Sequence, residues 1–355
     1  MNTKKLSEIF NKFEHDTQFV SCKELNSGHI NDTFLITTNT SKKFVLQRIN
    51  HLVFKDVPGL VNNKVLISKH LQKKQPHLTK NELDKHVLCF VKTKNTNNYY
   101  HQLENNFWNL MIFIDDSVTH TIVKDKEIAF EAGKLLGTFL NQTSDFDSSK
   151  LTIVIPNFNN MSFRFQQYND ALQNATEKRL QNAKMYIDKI ALLKDEMHIL
   201  QQLKENGKIP IRVTHNDTKV SNALFTKNNK GICMIDTDTV MPGIVHYDFG
   251  DAIRTICNTA SEDEKDLTKV SFNTTYYQAY KEVFFKEIQN TLTDLEIKYL
   301  PLAVKTMIFI MALRFLTDYL NNDVYYKTNY LEHNLDRAKN QFKLLEDFSE
   351  KISIF

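Results

Sequence analysis

The alternation of apolar and polar positions changes character near residue 114, and this change predicts two parts of different structure. In the first part, period-two alternation is typical of strands, and wider spacing of apolar residues indicates one or two helices. The predicted strands cover 19–25, 32–37, 43–48, 86–92 and 108–114, and the predicted helices cover 1–17 and 57–73. We interpret the lysines of the second helix (64, 69, 73 and 74) as a solvated face.

The second part is predicted to be mainly helical, with one further hairpin. The predicted elements are helices over 128–139 and 180–200, a strand and loop over 213–222, a hairpin of 223–226 and 232–235, and helices from about 250 to the end. A small β-rich lobe (1–114) would therefore precede a larger helical lobe (115–355). This order predicts an α+β, two-lobed, protein-kinase-like fold.

Composition narrows the class of protein. The net charge of +3 is too small to indicate nucleic acid or an anionic membrane as a partner. The four cysteines form no C-x-x-C pair and have no metal-ligand spacing, so we expect reduced thiols. Residues 1–13 lack the apolar stretch of a signal peptide, and the longest apolar run, Met307 to Leu313, is too short to span a bilayer. We expect a cytoplasmic protein.

The segment from His215 to Asn222 carries the first chemical signal. It reads His215-Asn216-Asp217, then four residues, then Asn222, which is the spacing of the kinase catalytic loop H-x-D-x-x-x-x-N. In such a loop Asp217 accepts the proton of the substrate hydroxyl, and Asn222 supplies an amide oxygen to Mg²⁺. His215 would support the loop.

A hairpin follows the loop and ends at Ile235-Asp236, where a carboxylate can join metal and phosphates. We therefore predict Asn222 and Asp236 as metal ligands, with Asp238 in support, and the share of the metal held by Asp236 or Asp238 is open. Asp248-Phe249-Gly250 resembles a D-F-G motif but lies too far from Asn222. Asp248 would instead cap the helix that begins near Asp251 or brace the catalytic loop.

The sequence signals for nucleotide binding are weaker than those of the His215–Asn222 loop. Ser27 and Gly28, at the tip of the first hairpin, are candidates for phosphate contact. Gln47 stands where a V-A-I-K comparison places the phosphate-pairing lysine, and Arg48 faces the opposite side of the strand. Either Gln47 hydrogen-bonds the phosphates or another cation enters. Met111 to Ile114 would form the hinge, with Met111 and Phe113 beside adenine. The expected cofactors are ATP and Mg²⁺.

These motifs resemble a known superfamily over residues 20–345. The HNDTKxxN loop, the run from Ile235 to Thr255, SGHINDTF (27–34) and VLQRIN (45–50) are similar to aminoglycoside phosphotransferases and choline kinases. Together with the runs 314–327 and 333–342, they resemble more narrowly the N-acetylhexosamine 1-kinases of bacterial hexosamine salvage. The resemblance implies transfer of the ATP γ-phosphate to the anomeric hydroxyl of N-acetylglucosamine or N-acetylgalactosamine.

The resemblance also implies roles for single residues. Asp217 would be the base, and His29, Arg314 and Tyr325 would contact the sugar. Each of these three contacts has an alternative: a turn position for His29, a salt bridge from Arg314 to Asp318, and a core position for Tyr325. For the whole chain, the alternatives are another hydroxyl acceptor, such as an amino alcohol or aminoglycoside, and a catalytically dead kinase fold that binds ligands. The sequence does not predict the oligomeric state.

Overall fold

The computed structural model describes residues 2–25 and 30–352. The strands are β1 (Phe19–Glu24), β2 (Asp32–Thr38), β3 (Lys43–Ile49), β4 (Tyr100–Leu103), β5 (Asn106–Ile112), β6 (Ser117–Val118), β7 (Arg212–Thr214), β8 (Ala223–Thr226), β9 (Gly231–Met234) and β10 (Met241–Gly243). The helices are α1 (Thr3–Phe10), α2 (Val57–Lys73), α3 (Lys80–His86), α4 (Lys126–Gln142), α5 (Met161–Asn174), α6 (Glu177–Met197), α7 (Ile199–Glu205), α8 (Val245–Ile256), α9 (Thr274–Ile288), α10 (Asp294–Leu320) and α11 (His333–Lys351).

The first part of the chain is built on an antiparallel sheet with the strand order β1-β2-β3-β5-β4. Strand β3 lies at its centre, paired with β2 on one side and β5 on the other. One face of the sheet packs on α1 through an apolar cluster that includes Phe10, Phe34 and Trp108. Trp108 of β5 is fully buried there.

Two sequence predictions in this part are wrong in detail. Residues 86–92 do not form a named strand: α3 ends at His86, and the following segment meets β5 through the bridge Phe90–Met111 and the bond from Ile112 N to Cys89 O. The outer strand of the sheet is β4, which had not been predicted. Helix α1 also ends at Phe10 rather than near residue 17. Beyond this end, the His15 ring donates to Phe10 O at 2.9 Å.

The second part is helical and packs around α10. This helix is apolar on most of its surface and contacts α5, α8 and α11. Gly250 allows α8 to lie directly against α10, because a Cβ atom at this position would be 2.3 Å from Ala303 O. Among the described residues α10 is the one helix long and apolar enough to cross a membrane, and 72% of that apolar window is buried in the fold, as in a core helix.

Two small sheets present the functional segments. Strand β7 pairs with β10, with Thr214 opposite Met241, so the loop that follows β7 lies beside the segment that precedes β10. Strands β6, β8 and β9 form the second sheet, and β9 leads into Ile235 and Asp236. Helix α8 begins at Val245, earlier than predicted, and runs beneath both segments. The mixed α+β architecture, with a small antiparallel sheet and a larger helical region, is the predicted kinase-like fold.

Candidate active site

The loop after β7 is held in one conformation by buried hydrogen bonds. Asn216 adopts a left-handed conformation with φ 63°, which asparagine tolerates better than most residues. Its side-chain amide donates to Thr214 Oγ1 at 2.8 Å and to Thr239 O at 3.0 Å. The His215 ring donates from Nε2 to Ile235 O at 2.9 Å, and Thr239 Oγ1 donates to His215 O at 2.7 Å. The loop is thereby tied to the segment that carries Asp236.

Asp248 braces the same loop from α8. Its two carboxylate oxygens accept the backbone N–H groups of His215 and Asn216, each at 2.7 Å, and Thr218 Oγ1 donates to Asp248 O at 2.7 Å. Burial raises the pKa of Asp248 to about 7, while the two backbone hydrogen bonds favour its charged form. Because Asp248 lies inside α8, whose N-cap residue is Ile244, the capping alternative is wrong.

Asp217 presents one carboxylate oxygen to fixed donors. Asn222 Nδ2 donates to Asp217 Oδ2 at 2.7 Å and to Asp217 O at 2.9 Å, and Lys219 Nζ donates to Oδ2 at 2.8 Å. The side chain of Asp217 keeps 30% of its surface exposed. Burial disfavours the charge of Lys219, but the carboxylates of Asp217, Asp236 and Asp251 outweigh it and raise the Lys219 pKa. The second oxygen, Oδ1, is left available to an acceptor hydroxyl.

The side chain of Asp236 accepts no hydrogen bond among the described residues. The residue stands in the left-handed conformation with φ 58°. Burial and the nearby carboxylates of Asp238 and Asp217 raise its pKa well above the ordinary value. Such crowded negative charge calls for a cation.

The residues around Asp236 fit a magnesium ion bound together with phosphates. The Asn222 amide donates from Nδ2 to Asp217, so its Oδ1 is free to coordinate. No cluster of three or more acidic, histidine or cysteine side chains that could hold a metal occurs in the described part of the chain. Mg²⁺ is commonly bound by one or two carboxylates plus substrate phosphates, and Asp236 and the Asn222 amide oxygen are ligands of the kind that it accepts.

Asp238, by contrast, is already held by three donors. Lys64 Nζ donates to its Oδ1, and Asn31 Nδ2 and Gln47 Nε2 donate to its Oδ2, the latter at 3.4 Å. Lys64 also donates to Gln47 Oε1 at 3.0 Å. We name these four residues the Asp238 cluster. Lys64 is only 2% exposed, so the predicted solvated lysine face of α2 is wrong at this position.

The nucleotide side holds two of the predicted contacts in defined places. Met111 pairs with Val45 at the end of β5, and the half-buried Phe113 donates its backbone N–H to Lys43 O at 3.0 Å. Ile112 N is likewise taken, by Cys89 O at 2.9 Å. The first hinge N–H with no acceptor among the described residues is that of Ile114. Ser27, Gly28 and His29 lie outside the described residues.

Arg314 is a cation without a carboxylate partner. Its guanidinium lies 5.8 Å from the Phe158 ring centroid and 5.7 Å from that of Tyr326, and no salt bridge to it occurs in the described chain. The alternative pairing with Asp318 is wrong, because Asp318 accepts the backbone N–H groups of Tyr325 and Tyr326 at 2.8 and 2.9 Å. Tyr325 is 71% exposed, so its core alternative is also wrong.

A second arginine, Arg164, also contacts Phe158. Arg164 donates from Nη2 to Phe158 O at 2.6 Å, and its buried Nε has no hydrogen-bond partner in the part of the chain that the structure describes. Burial and the charge of Arg314 lower the pKa of Arg164 to about 10. The hydroxyl of Tyr326 is also buried and has no partner. We name Phe158, Arg164, Arg314 and Tyr326 the arginine cluster.

The arginine cluster is connected to the catalytic loop. Phe158 packs on an apolar cluster that contains Met241, the partner of Thr214 in the strand before the loop. On the other side, Asp251 accepts the N–H of Thr218 at 3.3 Å and pairs with Arg254. Arg254 in turn pairs with Glu262.

The sequence interpretation missed four residues that these contacts single out: Asn31, Lys64, Arg164 and Lys219. Two had a usable signal. Lys64 lies four residues after Leu60 and three before Ile67, on the apolar face of its helix. Lys219 stands two residues after the predicted base. Asn31 and Arg164 have no local signal, because their partners are distant in sequence.

Comparisons with solved structures find the same fold in known proteins. The fold is similar to that of a spectinomycin phosphotransferase in complex with ADP and spectinomycin (13% identity, 99% of this chain and 98% of that chain, TM-score 0.58). It is also similar to an aminoglycoside phosphotransferase from Alicyclobacillus acidocaldarius (14% identity, 97% of this chain and 95% of that chain, TM-score 0.61). A third similar structure is an ethanolamine kinase from Plasmodium vivax (15% identity, 94% of this chain and 83% of that chain, TM-score 0.56). At these identities the likeness shows the fold alone.

A sequence comparison carries the assignment further. The family model for the phosphotransferase enzyme family matches residues 21–283, which span the first sheet, the catalytic loop, the Asp236 segment and α8. The match covers well over half of the 355 residues. The chain therefore belongs to the phosphotransferase enzyme family.

Proposed function

We propose that this phosphotransferase is an N-acetylhexosamine 1-kinase, which transfers the γ-phosphate of ATP to the anomeric hydroxyl of N-acetylglucosamine or N-acetylgalactosamine. The observation that carries the choice of acceptor is the arginine cluster, in which two guanidinium groups lack any carboxylate partner among the described residues. Such donors suit an acceptor rich in oxygen, and an acetamido carbonyl and ring hydroxyls meet that requirement.

The same cluster disfavours the cationic acceptors. An amino alcohol or an aminoglycoside would bring a positive charge toward Arg164 and Arg314, and like charges in a partly buried site repel. Arg314 and the exposed Tyr325 are the proposed sugar contacts, together with His29.

The proposed roles follow from the contacts. Asp217 accepts the proton of the anomeric hydroxyl at Oδ1, while Asn222 and Lys219 hold Oδ2. Asn222 and Asp236 would hold Mg²⁺, and His215, Asp238 and Asp248 support them. When bound, MgATP supplies the phosphoryl group and neutralises its charge. The protein then contributes orientation and preorganised charge.

Further parts of the proposal concern the setting. Residues 1–114 would form the nucleotide-binding lobe, with Ser27, Gly28, Gln47, Met111 and Phe113 on the nucleotide, and residues 115–355 the acceptor-binding lobe. We expect action in the cytoplasm on a small-molecule sugar, without nucleic acid or membrane.

The test is an ADP-release assay with a panel of sugars, amino alcohols and aminoglycosides, followed by NMR of the phosphorylated product. We expect turnover with N-acetylhexosamines and a phosphate on the anomeric oxygen. Phosphate on another hydroxyl, or turnover only with amino alcohols, would refute the proposed acceptor. Binding without turnover of any acceptor would favour the dead-kinase alternative.

The variant Asp217→Asn tests the base. It keeps the size of the side chain and should leave ADP binding and thermal unfolding close to those of the wild type while turnover falls by about 10²-fold or more. The matched control is Asp195→Asn on the exposed surface of α6, which should keep full turnover. Wild-type turnover in Asp217→Asn would show that another group accepts the proton.

A further inference from the structure

Kinases of this architecture place a lysine on the third strand, where it pairs with the phosphates and with a glutamate of the following helix. In this chain the strand position is held by the neutral Gln47, which lies between Thr33 of β2 and Asn109 of β5. The adjacent Arg48 cannot take over. It pairs with Asp32 and donates to Asn106 Oδ1 at 3.2 Å, on the opposite side of the strand.

The cation that does reach Gln47 comes from the helix. Lys64 of α2 donates to Gln47 Oε1 at 3.0 Å and pairs with Asp238. The exposed fractions of Lys64, Gln47 and Asp238 are 2%, 7% and 3%. Burying an ammonium group is unfavourable because it loses its hydration, so lysine is rarely buried unless a partner compensates. A neutral apolar residue would fill this place in the helix without that cost, so the charge itself calls for an explanation.

The Asp238 cluster joins elements that are far apart in sequence. Asn31 comes from the start of β2, Gln47 from β3, Lys64 from α2, and Asp238 from the short 3₁₀ helix Thr237–Thr239. Asp238 lies two residues after Asp236, so whatever holds Asp238 also sets the position of the proposed metal ligand.

A neighbour of Lys64 fixes the helix to the second part of the chain. Asn63 Nδ2 donates to Thr152 O at 2.7 Å and to Val240 O at 2.9 Å, and Thr152 N donates to Asn63 Oδ1 at 2.9 Å. Helix α2 therefore contacts both sides of the segment 237–240, through Asn63 at one end and Lys64 at the other. The Lys64 ammonium is held at one point relative to both the sheet and the catalytic segment.

We propose that Lys64 is a positioning residue for phosphoryl transfer, and that it supplies from helix α2 the positive charge that the third strand lacks. By pairing with Asp238 and Gln47 it fixes the segment that carries Asp236 against the central strand of the sheet. The charge arrangement is the reverse of the usual one, with the cation on the helix and the neutral amide on the strand. The proposal rests on membership of the phosphotransferase family and does not depend on the identity of the acceptor.

The test compares Lys64→Gln with the exchange variant Gln47→Lys/Lys64→Gln. The exchange keeps the composition and charge of the Asp238 cluster and moves the ammonium to the strand. The matched control is Lys69→Gln on the exposed side of α2, where the ammonium lies over the Tyr99 ring. The readouts are thermal unfolding without nucleotide, affinity for ADP with MgCl₂ by calorimetry, and kcat and KM for the acceptor.

Lys64→Gln is expected to lower kcat by about 10²-fold, the usual effect of removing one preorganised charge from a reaction site. The ADP affinity should fall as well, while KM for the acceptor changes by less than about twofold. The exchange variant should recover at least tenfold of the lost turnover, because it returns an ammonium group to the Asp238 cluster. The control should stay within twofold of the wild type in every readout.

Two results would overturn the proposal. One is Lys64→Gln turnover within threefold of the wild type. The other is an exchange variant that unfolds at the wild-type temperature but turns over no faster than Lys64→Gln. If Lys64→Gln does not fold, the exchange variant decides alone: turnover within tenfold of the wild type supports the positioning role, and turnover below one hundredth of it contradicts the role.

Discussion

Replacing Arg314 by methionine separates a ligand-binding arginine from a structural one. Methionine keeps most of the apolar stem that packs beside Phe158 and Tyr326 and removes the charge. In most proteins the loss of a half-buried arginine destabilises the fold, because a carboxylate is left unpaired. Here no carboxylate of the described chain pairs with Arg314, so that penalty does not arise.

The expected change in stability is small because two effects offset each other. The variant loses two contacts between the guanidinium and aromatic rings, each worth about 0.5–1 kcal/mol. It also removes the repulsion that contributes to the lowered pKa of Arg164, which is about 1 kcal/mol for charges in a partly solvated setting. We therefore expect the free energy of unfolding to change by less than about 1 kcal/mol.

The expected change in acceptor use is larger. A hydrogen bond from a charged donor contributes roughly 1.5–3 kcal/mol, and about 1.4 kcal/mol corresponds to a factor of ten. The value of kcat/KM for the sugar should therefore fall roughly 10- to 150-fold, with ADP affinity unchanged. Steady-state kinetics over a range of sugar concentrations, with denaturant unfolding of the same preparations, measures both quantities.

Lys305→Met on the same helix is the matched control. Lys305 Nζ contacts both carboxylate oxygens of Glu196, at 2.7 and 2.6 Å, so this variant should lose up to about 1 kcal/mol of stability and keep its sugar kinetics. The reasoning would be refuted if Arg314→Met lost several kcal/mol of stability while kcat/KM for the sugar stayed at the wild-type value. That outcome would make Arg314 a structural residue.

Two further predictions concern stability. Glu296→Gln breaks the paired bonds from Arg212 (2.8 and 2.9 Å) and should cost about 3 kcal/mol. Burial raises the pKa of Glu296, but the pairing with Arg212 outweighs burial and lowers it. The stability from this pairing is therefore present above about pH 4.5 and is lost as pH falls through the pKa of the folded state. The unfolding temperatures of the variant and the wild type should converge in acid, and a difference that stays constant with pH would contradict the pairing. Gly250→Ala should cost about 1–3 kcal/mol in denaturant unfolding, because its Cβ would meet Ala303 O. Gly207→Ala should cost about 1 kcal/mol, because the space around Gly207 is open but its φ is +63°. If Gly207→Ala destabilised the protein more than Gly250→Ala, this result would be inconsistent with close packing of α8 on α10.

Much of the candidate site could be predicted from sequence because its residues are close together along the chain. Asp217 and Asn222 share one loop, and the bond between them spans five residues. Asp236 ends a hairpin that follows directly, and hairpins are readable from alternation and turn residues. The left-handed conformations of Asn216 and Asp236 are compatible with the same local reading, since asparagine and aspartate tolerate them.

Predictions failed where burial decided the role of a polar residue. The lysines of α2 are alike in sequence, yet Lys64 is buried against residues 17 and 174 positions away, while Lys69 faces solvent. The opposite error occurred at Tyr325, where an aromatic residue with a core alternative is exposed and its neighbour Tyr326 is the buried one.

The sequence by itself determined the two-part α+β layout, the catalytic loop and the likeness to phosphotransferases, because periodicity and motif spacing are properties of neighbouring residues. Only the tertiary structure decided which acidic residue is free, Asp236 rather than Asp238, which cation reaches Gln47, and that Arg314 has Arg164 nearby instead of a carboxylate partner. These facts depend on side chains brought together by packing between distant elements. The free energy of a buried charge depends on such neighbours, and the local pattern of the chain does not contain them.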